Sequence, residues 1–449
     1  MGDDEIRILI ATDNHLGYLE KDPVRSLDSF YAFEEIFQLA KIKNADFVFL
    51  CGDIFHINQP SRTCMHRALG IFKKYCLGDK KPSVEFLTDP KSVFSSNSDF
   101  VNYLDPKLNI SLPVFAIHGN HDDPSGESQL SAIDILSEAG LVNYFGKAKS
   151  VDKITLDPLL FKKGSTCVAI YGLGGLRDER LVPHGRKNYI PEEFLEDFLD
   201  VVIWGHEHEC LIDPQPNPTK QFYVIQPGSS VATSLSDSET KPKYVCLMKI
   251  TGKQFKLEKL RLQNVRPFSM TTVVLDEVSG IKKFTSEEKI IKHLSLVLEN
   301  QIKYSESYYM EQLKEKVDGV SNFLGPNPKP LVRIRVDYSG GFEPFFSNKF
   351  GINFINVVAN PREILLFYKR KKAKFLMGDS QASYSSLVKG EGYEEDDQEN
   401  VDPSSNKIQM SRIVESFVKP QDLKVFVDLE LHDAVRQFVE KGDNNSINM

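Results

Sequence analysis

Four short polar motifs, each placed directly after an apolar run, constrain the fold of this chain more than any other feature. Short apolar runs rich in β-branched residues are typical of buried strands. The four runs are residues 6–11, 47–50, 114–117 and 201–204. The motifs that follow them are Asp13-Asn14-His15, Gly52-Asp53, Gly119-Asn120-His121-Asp122 and Gly205-His206-Glu207-His208. The pattern therefore predicts that all four motifs emerge at one end of a sheet.

The residue types in these motifs indicate a metal centre. Aspartate, asparagine and histidine supply the oxygen and imidazole ligands that hold divalent transition metals, manganese included. The single carboxylate of Asp53 is able to bridge two ions, and a two-metal site is a common device for phosphoester cleavage. A lone histidine is more often a hydrogen-bonded core residue, but four ordered motifs at matching strand ends favour metal binding.

The composition is that of a globular chain of two or three domains. The chain has 449 residues, of which 41% are hydrophobic and 26% charged, as is usual for globular proteins. No apolar stretch approaches the ~20 residues of a transmembrane helix, so no membrane association is expected. The six cysteines lack paired spacing, which favours reduced thiols and an intracellular compartment. The net charge of −8 does not favour a general polyanion binder, so nucleic-acid binding would depend on local patches and the metals.

The order of the segments predicts a large core followed by a smaller domain. Residues 1–265 alternate strand-like runs with helical segments, which indicates a layered α/β core. Within it, residues 28–43 have helical spacing, and Ser61 is a plausible N-cap for a helix that runs to residue 74. The polar stretch 78–109 is predicted to be a functional surface loop.

The rest of the chain is predicted to hold a second small domain and two tail segments. Residues 266–376 combine a helix at 286–317, a Gly/Pro-rich break at 325–330 and a strand at 331–338, which indicates an α+β domain. Residues 377–406 are acidic and are predicted to be a disordered linker. Residues 407–441 have helical spacing suited to a docking element, and 442–449 are predicted to be a disordered tail.

The motifs resemble the signature of the calcineurin-like metallophosphoesterases, which is D-x-H, G-D, G-N-H-D/E and G-H-x-H. Residues 10–17, 52–56, 113–124, 202–210, 226–230 and 332–345 are similar to the nuclease subunit of the eukaryotic double-strand-break repair and meiotic recombination complex. The resemblance covers roughly residues 5–370. It implies a four-layer α/β/β/α metallophosphoesterase core with a smaller α+β capping domain.

The resemblance also assigns roles to individual residues. Asp13, His15, Asp53 and His208 would hold one manganese ion, whereas Asp53, Asn120 and His206 would hold the other. His121 would protonate or stabilise the leaving alkoxide, and His56 would support the site from its edge.

The chain departs from the family pattern at one place. The family carries one more metal-ligating histidine in an H-Q-N turn that ends a further strand, before the G-H-x-H motif. Here residues 172–181 run almost directly into residues 182–190, so that strand and its turn are absent. We therefore expect the second ion to be held by three protein ligands, completed by water, substrate or the nearby His184, with lower affinity. A gene-model or splicing difference, a natural deletion and an engineered shortening would each account for the loss.

The resemblance further implies partners and a compartment. The family works on DNA in the nucleus, with a coiled-coil SMC-like ATPase subunit and an FHA/BRCT-type adaptor subunit, and it is usually a homodimer. The helix at 61–74 is a candidate dimer face, although it is equally suited to core packing. The basic cluster at 369–374 is a candidate for DNA contact or nuclear import, with a solvated helix end as the alternative.

We therefore predict a manganese-dependent DNA nuclease that cuts single strands internally and degrades duplex DNA from 3′ ends. Two rivals stay open. The first is a catalytically impaired scaffold or DNA-binding subunit, an alternative that the missing H-Q-N strand supports. A phosphatase that acts on proteins or nucleotides would use the same superfamily signature.

Overall fold

The computed structural model describes residues 4–94, 100–148, 154–175, 191–282, 285–315, 317–345 and 347–370. These residues form fifteen strands and six helices. The strands are β1 (Ile6–Ala11), β2 (Phe47–Cys51), β3 (Glu85–Phe86), β4 (Val114–Ile117), β5 (Asn143–Tyr144), β6 (Leu159–Lys163), β7 (Thr166–Ile170), β8 (Val201–Ile203), β9 (Leu211–Pro216), β10 (Tyr223–Gln226), β11 (Tyr244–Thr251), β12 (Gln254–Arg261), β13 (Phe268–Val274), β14 (Leu331–Asp337) and β15 (Leu365–Tyr368). The helices are α1 (Asp28–Ile42), α2 (Arg62–Cys76), α3 (Pro90–Val93), α4 (Ala132–Glu138), α5 (Glu287–Lys314) and α6 (Ser347–Ile352).

A six-stranded sheet forms the centre of the core, in the order β12-β11-β1-β2-β4-β5. Strands β1, β2, β4 and β5 run parallel, whereas β11 and β12 extend the sheet in antiparallel fashion. In the parallel part, Ala11 lies opposite Leu50 and Cys51 lies opposite Ile117. The motifs after β1, β2 and β4 therefore meet at one edge of this sheet.

Helices α1, α2 and α4 cover one face of this sheet, and both helix predictions for the core are confirmed. Helix α1 has the predicted extent to within one residue, and Ser61 caps α2 by accepting a hydrogen bond from the Cys64 N–H. The apolar spacing of the helices buries a cluster of aromatic rings against the sheet, with Phe33, Phe37 and Phe72 packed edge to face. Burial of such side chains contributes about 1.5–3 kcal/mol each.

Two three-stranded sheets pack on the opposite face, in the orders β3-β6-β7 and β8-β10-β9. The fourth motif follows β8 and so belongs to a different sheet from the other three. The prediction that one sheet carries all four motifs is therefore wrong. The reason is that β8 pairs with β10, and the motif after it reaches the site across the interface between the sheets.

The two small sheets are separated at the place where the sequence lacks a strand. Among the described strands, β7 pairs only with β6 and β8 pairs only with β10, so consecutive strands of the chain form edges of different sheets. This arrangement fits the predicted loss of a strand between them. Through residue 265, the described residues contain no helix longer than four residues besides α1, α2 and α4, so the second outer helical layer is not seen in them. Residues 176–190, including His184, lie outside the described residues.

The stretch 78–109 is more than a surface loop. Its strand β3 pairs with β6, and three of its apolar side chains, Val84, Phe94 and Val101, enter the core between the sheets. The sequence lacks periodicity here because the segment alternates very short elements with turns. The prediction of a functional surface loop is therefore wrong for these three core residues.

The second region consists of a parallel three-stranded sheet, β13-β14-β15, covered on one face by α5. The predicted helix and strand are both confirmed, since α5 begins after Ser286 and β14 spans seven residues. Leu294 and Leu298 of α5 lie in the same buried apolar cluster as Ile334 and Val336 of β14. The domain boundaries at 265 and 376 stay predictions, and the predicted linker, docking element and tail lie outside the described residues.

Two carboxylates of α1 hold the segment that joins the core to the second region. The Arg266 guanidinium donates to both carboxylate oxygens of Asp28, at 2.7 and 2.6 Å. About two turns further along the same side of α1, the buried Glu35 accepts the backbone N–H groups of Gln263 and Asn264 and the side-chain amide of Asn264. Because these groups are buried and hydrogen-bonded, they fix the start of the second region on α1.

No described helix is both long and apolar enough to cross a membrane. Two members of the basic cluster at 369–374 lie among the described residues, and both contact the second region. The Arg370 Nε atom lies 2.7 Å from an Asp337 oxygen, and Lys369 lies over the Tyr338 ring. The other four members lie outside the described residues.

Candidate metal centre

The structure brings all the predicted site residues together where the two sheet layers meet. Asp13, Asp53 and Asn120 follow β1, β2 and β4, and His206 reaches them from the loop after β8. The two sides are joined directly, because both carboxylate oxygens of Asp13 lie within 3.1 Å of the His206 backbone nitrogen. The six predicted ligands are Asp13, His15, Asp53, Asn120, His206 and His208.

Four of these residues adopt a backbone conformation that side chains other than glycine rarely take. Asp13, His15, Asp53 and His206 have φ values of 49°, 47°, 46° and 75°. Each such residue costs on the order of 1 kcal/mol or more, and strain of this kind concentrates at functional sites. The backbone conformation of these four residues therefore lowers the stability of the loops while it places their side chains at the site.

Asp13, His15 and His208 form the tighter group of donors. Their ligand atoms all lie within 4.8 Å of one another, and the two Nε2 atoms of the histidines are 3.1 Å apart. Burial raises the pKa of the Asp13 carboxyl to about 7, whereas burial and the neighbouring His208 lower the pKa of His15 well below its usual value. A divalent cation here would meet a neutral imidazole and would hold Asp13 ionised.

Asp53 adjoins the first group through its backbone, because its carbonyl oxygen accepts the His15 N–H at 2.9 Å, and it keeps one carboxylate oxygen unbonded within the described part of the chain. Its Oδ1 accepts the His121 backbone N–H at 2.8 Å, whereas its Oδ2 is buried and has no hydrogen-bond partner among the described residues. On the far side, the Asn120 Oδ1 lies 2.9 Å from the His206 Nδ1. Asn120 and His206 are thus in contact, and the assignment of Asp53, Asn120 and His206 to a second ion stays a prediction.

The rings of His121 and His56 lie beside His15 of the first group. The Nδ1 of His121 lies 2.6 Å from the His56 carbonyl oxygen, so this nitrogen carries the proton and donates it. The Nδ1 of His56 lies 3.4 Å from the Nδ1 of His15, and the three rings are 4.8 to 5.4 Å apart. Burial and His121 lower the pKa of His56 to about 4, so its ring is neutral at physiological pH. The Tyr18 ring closes the edge of the site against His56.

Asp122 supports the site, although the sequence placed it in a motif without assigning it a role. Its carboxylate is fully buried and accepts the backbone N–H groups of Gly119 and Ile54, both at 2.6 Å. Asp122 therefore ties the loop after β4 to the loop after β2. Burial, with Asp53 nearby, raises the pKa of its carboxyl to about 7.

Glu239, which is not among the predicted site residues, contacts the predicted ligand His208 on the side away from His15. Its Oε1 lies 3.0 Å from the Nδ1 of His208, and its other oxygen pairs with the buried Lys243. Burial lowers the pKa of His208, but the Glu239 carboxylate outweighs it and the pKa is raised overall. No motif or spacing marks Glu239, because tertiary packing alone brings it to His208.

The donors fit a divalent metal cation. The set combines carboxylate oxygens, an amide oxygen and imidazole nitrogens, which suit such ions. The buried and unpartnered Oδ2 of Asp53 supports this fit, because a buried carboxylate oxygen is costly unless it is bonded. The bridging role of Asp53 stays a prediction.

The fold and this arrangement of side chains define the class of protein. Residues 6–210 match the calcineurin-like phosphoesterase family, so the chain contains a phosphoesterase domain of this kind, and the family implies divalent-metal binding. Residues 255–438 match the Mre11 DNA-binding presumed domain.

Similar proteins carry the name double-strand break repair protein. The chain is 39% identical to mus-23 of Neurospora crassa, 40% to MRE11 of Homo sapiens and 42% to MRE11 of Arabidopsis thaliana. These alignments cover 98 to 99% of the chain and 62 to 65% of the relatives, so the chain spans under two thirds of their length. The chain belongs to the Mre11 family.

The alignments also bear on the predicted deletion. The alignment with the Neurospora protein extends over 484 positions, whereas the chain has 449 residues, so at least 35 aligned positions face gaps in this chain. A loss of this size fits the predicted absence of one strand with its connections. The position of the loss stays a prediction.

Proposed function

We propose that this chain is the nuclease part of a DNA double-strand-break repair protein, active with two manganese ions. It would cut single-stranded DNA internally and degrade duplex DNA from 3′ ends. The observation that carries the proposal is the convergence of Asp13, His15 and His208, whose ligand atoms all lie within 4.8 Å of one another. The adjoining loops add the unpartnered Oδ2 of Asp53 and the ring of His121. The choice of DNA as substrate is supported by the match to the Mre11 DNA-binding presumed domain and by the names of the relatives.

The side chains of the site divide the chemical work. When bound, divalent ions supply the positive charge and Lewis acidity that phosphodiester cleavage requires. Asp13, His15, Asp53 and His208 would hold the first ion, and Asp53, Asn120 and His206 the second. The His56 carbonyl keeps the Nδ1 proton of His121 in place, which leaves the Nε2 of His121 free to hold or move a proton at the leaving oxygen.

Further properties of the proposal follow from the family. The protein would work in the nucleus as a homodimer, bound to a coiled-coil SMC-like ATPase and an FHA/BRCT-type adaptor. Helix α2 is the candidate dimer face. Its inner side packs in the core through Cys64, Ala68, Ile71 and Phe72, which leaves only its outer side for such a contact.

A second candidate is an impaired subunit that binds DNA and holds the complex together. The separation of the two small sheets and the gaps in the alignment favour it, because the second ion would have only three protein ligands. In this case the first group of donors would still bind an ion, but the second would bind weakly or be empty.

Cleavage assays with manganese separate these functions. Substrates are duplex DNA labelled at its 3′ ends, circular single-stranded DNA, a chromogenic phosphodiester and the matching phosphomonoester, each with the parent chain and with His121→Asn. If the chain is a nuclease, the parent should cleave both DNA substrates and the phosphodiester. The His121→Asn variant should cleave them at least ~100-fold more slowly. DNA binding without cleavage would support the impaired subunit, and preference for the monoester would support a phosphatase.

A further inference from the structure

A buried acid–base pair lies directly behind the metal-facing ring of His208. Glu239 sits in the short turn Ser238–Thr240, and Lys243 lies four residues further along. Both side chains are almost fully buried, since the two residues are each 3% exposed. Neither residue belongs to any of the four motifs.

The pair is saturated with hydrogen bonds. The Glu239 Oε1 accepts from the Thr233 N–H at 3.2 Å and lies 3.0 Å from the His208 Nδ1, whereas its Oε2 accepts from Ser229 and Lys243. The Lys243 ammonium also donates to the Ser229 hydroxyl at 2.8 Å and to the His208 carbonyl at 3.3 Å. A buried carboxylate is stable only when it is paired and bonded in this way. Glu239 therefore stays ionised and acts as an acceptor.

An ionised carboxylate at Nδ1 decides where the His208 proton resides. A carboxylate only accepts hydrogen bonds, so the Nδ1 of His208 must carry the proton. The Thr233 hydroxyl lies 2.7 Å from the same nitrogen. Its oxygen is able to accept a hydrogen bond from the Nδ1–H, and its own hydrogen is able to reach Glu239. The lone pair of the neutral ring is then on Nε2, which faces the Nε2 of His15 at 3.1 Å. This is the tautomer a metal ligand needs.

We infer that Glu239, held ionised by Lys243, is the positioning residue that fixes the ring orientation and tautomer of the metal ligand His208. The inference rests on the metal site of the proposed function and adds to it a buried pair outside the motifs. If the pair only stabilised the turn at 238–240, its loss would lower stability without changing the His208 tautomer or the metal affinity.

The first test leaves Glu239 and Lys243 unchanged. A ¹H–¹⁵N spectrum of the imidazoles in the full chain, without metal, reports which nitrogen of His208 is protonated, and a His208→Asn sample assigns the signal. The inference predicts protonated Nδ1 and unprotonated Nε2. A ring protonated on Nε2 alone would overturn it.

The second test measures manganese affinity by titration calorimetry on the metal-free full chain. Glu239→Gln keeps the size but removes the charge, and Lys243→Met removes the cation that keeps Glu239 ionised. The matched control is Glu209→Gln, because Glu209 pairs with Lys241 at the surface beside the same motif. Loss of a hydrogen-bond partner behind a metal ligand typically weakens binding 10- to 100-fold, whereas the exposed control should change affinity less than about fivefold.

The outcomes distinguish this inference from the proposed function. Weaker binding in Glu239→Gln, partial recovery in Glu239→Asp and no change in the control would support the positioning role. Parent-like affinity and tautomer in a folded Glu239→Gln would overturn it, even if the melting temperature fell. If the parent chain itself binds no manganese, the proposed function fails, and the His208 spectrum still tests the role of Glu239.

Discussion

Replacing Glu35 by alanine should weaken the join between α1 and the segment that leads into the second region. The Glu35 carboxylate is fully buried and accepts three hydrogen bonds, at 2.7 Å from Gln263 N–H, 2.7 Å from Asn264 N–H and 3.0 Å from the Asn264 amide. The substitution leaves three donors in place without their acceptor. Since each loss costs about 1–3 kcal/mol and water offsets part of it, we expect the free energy of unfolding to fall by about 3–5 kcal/mol.

The effect should also depend on pH in a defined direction. Burial raises the pKa of Glu35 from 4.5 to about 7 in the folded protein, so the folded state binds the proton more tightly than the unfolded state. Its contribution to stability is therefore complete below about pH 4.5 and declines as the pH rises through about 7. The alanine substitution should cost more at about pH 5 than at about pH 8.

Urea unfolding of the full chain at both pH values measures the loss. Glu34→Ala is the matched control, because Glu34 precedes Glu35 on α1 but pairs with the exposed Lys74 and with Tyr75. The control should cost about 1 kcal/mol or less. A loss in Glu35→Ala no larger than in Glu34→Ala would refute the reasoning.

Three further predictions concern the metal centre. In Gly119→Ala, the new Cβ would lie 2.1 Å from the Asp53 Oδ1, so the manganese affinity measured by calorimetry should fall at least ~10-fold. The control Gly70→Ala, whose new Cβ would have nothing within 4 Å, should bind manganese normally. Equal affinities in the two variants would contradict the steric argument. In Asp122→Asn, one amide N–H must face the N–H of Gly119 or of Ile54. The free energy of unfolding, measured by thermal unfolding, should therefore fall by about 2–4 kcal/mol. An unchanged melting temperature would contradict this prediction. Burial raises the pKa of Asp13 to about 7, so protons should compete with manganese for this carboxylate. The manganese affinity should therefore fall up to ~10-fold for each pH unit below pH 7. An affinity that does not change between pH 6 and pH 8 would show that Asp13 is not a ligand.

The strand-end motifs could be found from the sequence because each depends on local signals. An apolar run followed by Asp13 or Asp53 marks both the strand and the loop. The residues that the resemblance assigned to the site do lie together in the structure. Ser61 was found for the same reason, since a helix cap is a local interaction.

The features that the sequence did not indicate depend on distant contacts. The motif containing His206 follows an apolar run like the others, but the pairing of β8 with β10 places it in another sheet. Glu239 and Glu35 are polar residues in ordinary surroundings along the chain, and only the folded structure buries them beside His208 and Asn264. Residues 78–109 contribute to the core through very short elements, which carry no periodicity to detect.

The central claim is that Asp53 joins two groups of donors into one metal centre. Its most direct test is the number of manganese ions bound by the full chain and by Asp53→Asn, measured by calorimetry alongside cleavage of circular single-stranded DNA. The account predicts one tight and one weaker ion in the parent, with binding of both weakened at least ~10-fold and cleavage lost in the variant. Parent-like manganese binding and cleavage in Asp53→Asn would contradict it.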